Sequence, residues 1–585
     1  MASPSSDFRK RCEVLLGQKG KVAEENRLRE FFKAHWEYSM REFPESATWR
    51  GWPGQNDRWT DYTPASIDRR KGDTQMGVRV LKSIDRAGLP AAERLNLDLS
   101  RHGLELEQDS YKFPGHLLLI TQMDGIQRSM AEMLRMMPAR KVSDYEDILS
   151  RLRNSEKLVD QTIDLLRVGL RAKVTPAKVC LRDVAGQVAK QLTEDPLDSP
   201  LLAPFKEISG AIPEKERIRL RREALAAYQK QAGPAFRRLH KFLEDEYVPG
   251  CRESIGCSEL PNGREWYQHR IRAMTTTSLT AREIHQIGLA EVKRIRGEME
   301  RVKAEAGFKG SLAQFFEFLR TDKRFYYKRG TELLAGYRDI SKRADPELIK
   351  LFGRLPRQPY GVRPVPSYIE RSVTTAYYQP GSTTAGRPGY FFANTYNLAV
   401  RPKWEMEALT LHEAVPGHHL QLAIADELTG LPEFRKYARY TVYVEGWALY
   451  AESLGEAMGF YKDPYSKFGK LTYEMWRAIR LVVDTGMHDL GWSRQEAIDY
   501  FKENAGKTEH DIIVEIDRYI VWPGQALAYK MGELKIKELR AHAEKVLGER
   551  FDIRKFHDEI LRHGAVPLDF LEARVKEWIA TQGEK

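Results

Sequence analysis

Apolar residues return along most of the chain at intervals of three and four, the spacing that gives a helix one dry face. Ser143-Asp-Tyr-Glu146 reads as a capping box opening a long amphipathic run to about Arg171. Thr280-Ala-Arg-Glu283 opens another, with Ile284, Ile287, Val292, Ile295, Met299 and Val302 at helical spacing. Ser493-Arg-Gln-Glu496 opens a third, and Thr508 precedes a short helix with Ile512, Ile513, Ile516 and Ile520 on one side. Such helices signify core packing and carry no functional assignment. The stretch from Leu355 to Val400 breaks the period. Pro356, Pro359, Pro364, Pro366, Pro380 and Pro388 interrupt a run rich in Tyr, Val and Thr, which reads as extended chain and short strands. Its best strand candidate, Gly389 to Val400, leads into a helix from Trp404 to Val415. The expected fold class is mainly α, with a small β element before that helix.

At 585 residues the chain exceeds the size at which single cores stop growing, so two or more lobes are expected. Pro249, Gly250, Gly256, Pro261 and Gly263 cluster at the natural cut, giving regions 1–265 and 266–585. The net charge of +11 is spread through interleaved acidic and basic residues, so no nucleic-acid partner is expected. No window approaches the roughly 20 apolar residues of a membrane span, and the first residues lack the apolar stretch of a secretory signal. A cytoplasmic location and no membrane partner follow as expectations. Cys12, Cys180, Cys251 and Cys257 have no metal-ligand spacing and read as free thiols.

The candidate chemistry lies in His412-Glu413-Ala414-Val415-Pro416-Gly417-His418-His419, which holds 3 of the 14 histidines beside a glutamate. Zinc hydrolysis needs two neutral imidazoles on the ion and a carboxylate placed to take a proton from water. In the simplest zinc helix the histidines are four apart, about 40° around the axis. Here they are six and seven apart. A regular helix would turn His418 about 120° away from His412 and carry His419 about 10.5 Å further along the axis. Pro416 cannot donate to the carbonyl of His412, and Gly417 accepts an irregular backbone. The motif therefore reads as a zinc helix with a two-residue bulge, His412 and His418 as ligands, His419 as the alternative to His418, and Glu413 as the base. The next helix, Thr441 to Glu452, carries two glutamates seven apart on one face, and Gly446 lets another backbone approach. Glu445 is the expected third ligand, and Glu452 is expected to orient a histidine. One Zn²⁺ per chain is the expected cofactor.

Four segments in order, His412 to His419, Val444 to Glu452, Arg477 to His488 and Arg518 to Gly532, resemble domain-of-unknown-function family 885. The resemblance spans nearly the whole chain and is strongest from about residue 360 onward. That family is similar, distantly, to helical zinc peptidases of the thimet oligopeptidase, Taq carboxypeptidase and angiotensin-converting enzyme types. The resemblance implies a two-lobed helical body with a deep central cleft, and a metallopeptidase cleaving short peptides. It also implies an oxyanion donor from a later helix, for which His488, with Asp484 to orient it, and Tyr529 are the candidates. Arg477, Arg480, Arg518 and Lys530 are candidates to bind a substrate carboxylate. By the same analogy, the strand from Phe391 to Asn394 is expected to pair as an exposed edge with an extended peptide. A zinc amidohydrolase or esterase acting on a small non-peptide substrate would use the same residues. A binding protein with a vestigial site is the reading from another class. The sequence carries no recognisable oligomerisation seam.

Overall fold

The computed structural model of the protein describes residues 3–366, 370, 375–383 and 386–583. The chain forms two compact units, Met1–Ile255 with Glu259–Gly263, and Gly256–Ser258 with Arg264–Lys585. Both are mainly helical. Among the described residues no helix is long and apolar enough to cross a membrane.

In the first unit the run expected as one helix from Ser143 is two, Val142–Arg153 and Ser155–Ala172. The first begins before the expected cap. Asp144, rather than Ser143, accepts from the backbone N–H groups of Arg140 and Lys141. Asn154 makes the break by donating its side-chain amide to the Ser150 carbonyl, a local bond that competes with the helical ladder. Leu149, Leu152, Leu158, Val159 and Leu166 then bury the apolar faces of both helices in one core.

The second unit carries the histidine motif. Helix α1 (Ala281–Glu305) starts at the Thr280 capping box. Three short strands follow: β1 (Tyr360–Pro364), β2 (Ala376–Gln379) and β3 (Gly389–Ala393). Their order is β1-β3-β2, with β1 parallel and β2 antiparallel to β3. The strand expected as an open edge is therefore the central one. It ends at Ala393 because the Asn394 side chain accepts from the N–H of Tyr396 and turns the chain.

Helices α2 (Met406–Glu413), α3 (His418–Asp426), α4 (Thr441–Ser453) and α5 (Pro464–His488) come next. Then come α6 (Arg494–Asn504), capped by a Ser493 box, α7 (Glu509–Val521), capped by Thr508, and α8 (Ala528–Leu547). From Leu471 to His488 nearly every residue of α5 is buried, as expected of a helix surrounded by others. Helices α4 and α8 cross at two glycines. A Cβ on Gly446 would lie 2.5 Å from the Gly532 Cα, and one on Gly532 would lie 1.9 Å from the Val442 carbonyl oxygen. Gly532→Ala is expected to destabilise the protein by about 1–3 kcal/mol, because two backbones must part to admit a methyl group. Calorimetric unfolding checks it. An unchanged melting temperature would mean the crossing is looser than these distances.

Candidate metal centre

The sequence predicts one bulged helix through the motif, but the structure breaks it. Helix α2 ends at Glu413, α3 begins at His418, and the Val415–Pro416 peptide between them is cis. The chain turns back so tightly that a Cβ on Gly417 would lie 1.9 Å from the His412 carbonyl oxygen. Only glycine fits there. Trp447 on α4 donates its indole N–H to the Pro416 carbonyl at 2.9 Å, tying the break to the helix that carries Glu445.

The two adjacent histidines then part company. The buried His419 ring lies 4.5 Å from that of Tyr360 on β1. Its Nδ1 meets the Tyr378 hydroxyl of β2 at 2.8 Å, and its Nε2 meets the Gln358 carbonyl at 3.1 Å. Burial pushes its pKa down to about 4, and both nitrogens are engaged, so it pins the sheet to α3. His418 turns instead toward His412, with ring centres 4.8 Å apart.

Glu445 closes the group. Its Oε2 lies 3.6 Å from the Nε2 of His412 and 3.6 Å from the Nε2 of His418. One ligand atom from each residue falls within 4.8 Å of the others, and among the described residues no other trio of such side chains does so. A tetrahedral ion with bonds of about 2.0–2.1 Å holds its ligand atoms roughly 3.4 Å apart. Behind His412, Nδ1 meets the Glu452 carboxylate at 2.7 Å, which leaves Nε2 facing the centre. Burial alone would lower the His412 pKa, but the nearby carboxylates of Glu445 and Glu452, with the charge of Glu413, push it up to about 9. Burial would raise Glu445, yet His418 and His412 hold it well below the usual carboxylate range. Three carboxylates around two imidazoles leave a local excess of negative charge. Glu413 Oε2 is buried with no hydrogen-bond partner. Two imidazole nitrogens, one carboxylate oxygen and that excess charge fit a dication such as zinc.

The family model described as "Bacterial protein of unknown function (DUF885)" matches residues 44–575. The chain belongs to this family. No curated protein matches it. A crystal structure of a candidate lipoprotein from Colwellia psychrerythraea is similar, with 27% identity and a TM-score of 0.90 over 96% of this chain and 100% of that one. A solved candidate lipoprotein of unknown function from Shewanella oneidensis shares 17% identity, with a TM-score of 0.74 over 93% of this chain and 99% of that one, and shows the fold alone.

Four side chains singled out in this family member do other work. His488 is fully buried, with Nδ1 accepting from the Cys257 N–H and Nε2 donating to the Tyr519 carbonyl, so it has no proton left for an oxyanion. Asp484, expected to orient it, instead accepts from the Tyr267 hydroxyl and the Gly524 N–H. Lys530 is fully buried and paired with Glu291, Glu474 and Glu533, so it is closed to substrate. Asn394 is 1% exposed and donates to the Glu370 carbonyl, holding the chain beside β3. Tyr529 differs from these. Its hydroxyl accepts from Arg518 at 3.4 Å, and no described residue takes its proton. Arg518 also binds Gln525 and Glu515, and Arg480 binds Tyr519 and Glu515. Glu515 and Trp447 went unassigned in the sequence. Glu515 sits three residues before Arg518 on one helix, a spacing that signals an ion pair, whereas nothing local marks Trp447.

Glu452→Ala is expected to weaken metal binding about 10- to 100-fold, because the His412 ring loses the group that fixes its tautomer and aim. Chelator competition measures it. Unchanged affinity would show that His412 is held by packing alone.

Proposed function

We propose that the chain is a zinc-dependent hydrolase that cleaves short peptides, with Glu413 as its proton carrier. The observation that carries this reading is the convergence of His412, His418 and Glu445, with Glu413, next to His412 in sequence, keeping a buried Oε2 that has no hydrogen-bond partner. Zinc, when bound, supplies a Lewis acid that brings the pKa of water toward 7. Glu413 Oε2 takes the proton of the attacking water and passes it to the leaving nitrogen. The Tyr529 hydroxyl has its proton to give to the developing oxyanion, and Arg518 holds the hydroxyl oxygen. Because β3 is the central strand, any added peptide strand would lie along an outer strand.

Elemental analysis of the purified protein, followed by a screen of peptides and small amides, tests the proposal. About one zinc per chain and peptide cleavage lost on chelation support it. Protein that takes up no zinc when offered it, or a zinc-loaded protein that cleaves only non-peptide amides or esters, overturns it.

A further inference from the structure

The proposed site leaves the substrate's own chemistry open, and α5 narrows it. Arg477 and Arg480 stand three residues apart on this helix, both buried, at 7% and 3% exposure. A buried guanidinium is costly unless its donors and charge are met. Here they are not. Arg477 makes no ion pair among the described residues, its one hydrogen bond runs to the Tyr473 carbonyl at 3.3 Å, and its Nε is buried without a partner. Arg480 binds the Tyr519 hydroxyl at 2.8 Å and Glu515 at 3.2 Å, yet its Nη1 is also buried without a partner. Glu515 is further shared with Arg518 at 3.3 Å. Arg480 and Arg518 therefore share one carboxylate, and among the described residues Arg477 pairs with none. The nearby Lys507 does not alter this balance, since Glu405 neutralises it at 2.8 Å.

Aromatic rings hold the two cations in place without discharging them. Arg477 lies over Tyr473 and Trp476, at 4.7 and 5.0 Å. Arg480 lies over Trp476 and Tyr529, at 5.1 and 4.4 Å. Such stacking supports the guanidinium faces and leaves the N–H edges for hydrogen bonds. The helix that carries the pair, α5, packs against α2 and α4, which carry His412 and Glu445. Tyr529 is one turn before Gly532, whose backbone meets Gly446 next to Glu445.

We propose that Arg477 and Arg480 form a carboxylate subsite, so that the preferred substrate carries a free carboxylate near the bond to be cut. This rests on the hydrolase reading for the word substrate, but the anion site stands on its own geometry. A carboxylate would supply the missing negative charge and accept from the partnerless Nε and Nη1, the planar pairing for which guanidinium groups are suited.

The test uses zinc-loaded Glu413→Gln protein, which binds without cutting. Three versions of one labelled tetrapeptide serve as probes: one with a free C-terminal carboxylate, one amidated, and one amidated with a glutamate side chain at its end. The free acid is expected to bind about 10- to 100-fold tighter than the neutral amide, as for a lost charge-assisted hydrogen bond. The third peptide tells which carboxylate the subsite takes. Adding Arg477→Gln should bring the ratio to about 1 by weakening the acid alone, and Arg477→Lys should restore part of it. Equal binding of all three peptides, or a ratio that survives Arg477→Gln, overturns the subsite. So does a lower melting temperature in Arg477→Gln with the ratio intact, which would make the arginine a packing residue. If wild type binds no peptide, the hydrolase reading fails separately. Succinate then serves as the probe. It should raise the melting temperature of wild type and not of Arg477→Gln, and equal shifts would overturn the subsite.

Discussion

Glu413→Gln is expected to lower peptide hydrolysis by about 10²- to 10⁴-fold while zinc content stays at that of the wild type. The substitution keeps the volume and shape of the side chain and removes its ability to take a proton. Glu413 is adjacent in sequence to His412 but lies outside the trio of converging ligand atoms, so the metal should not notice its loss. Nor should the fold. Glu413 is 8% exposed and its buried Oε2 has no donor, so its burial already costs stability that a neutral amide would recover in part. A melting temperature equal to or slightly above wild type is therefore expected together with the lost rate. Single-turnover kinetics on the zinc-loaded variant make the measurement. A rate within a few-fold of wild type would mean that another group moves the proton. Loss of zinc would mean that Glu413 is a ligand, and the division of labour drawn here would be wrong.

The order of events in the sequence was readable where the cause is local. The Thr280 and Ser493 boxes and the Thr508 cap sit where their side chains meet the next turn, because a cap needs only its own neighbours. The seven-residue spacing of Glu445 and Glu452 likewise puts both on the His412 side of α4, since two helical turns return to the same face. Non-local causes were out of reach. Lys530 looks like an exposed cation in sequence, but Glu474 lies 56 residues earlier and Glu291 further still, and only the packing of α1, α5 and α8 brings them together. His488 is satisfied by two backbone groups, one of them 231 residues away. Strand order is non-local too, so nothing around Gly389 told that β3 would be paired on both sides. At Pro416 the residue types announced an irregularity, but its form depended on Trp447 and on the His419 anchor in the sheet.

That anchor makes the second large effect specific. Glu445→Ala and His418→Ala are each expected to lose zinc, and His419→Ala to keep it. Removing a direct ligand should exceed the roughly 10- to 100-fold loss typical of an outer partner, so both variants should purify without metal under conditions where wild type holds it. His419 is the internal control, because it is adjacent in sequence and equally a histidine. Its loss leaves the Tyr378 hydroxyl and the Gln358 carbonyl without their partner, at a cost of about 1–3 kcal/mol in stability and not in ligand number. Elemental analysis and thermal unfolding of the three variants separate the two effects. Zinc retained in His418→Ala and lost in His419→Ala would reverse the assignment. Zinc lost in all three would mean that the break between α2 and α3 collapses without its sheet anchor, so that the metal site depends on the strand pairing as well as on its own ligands.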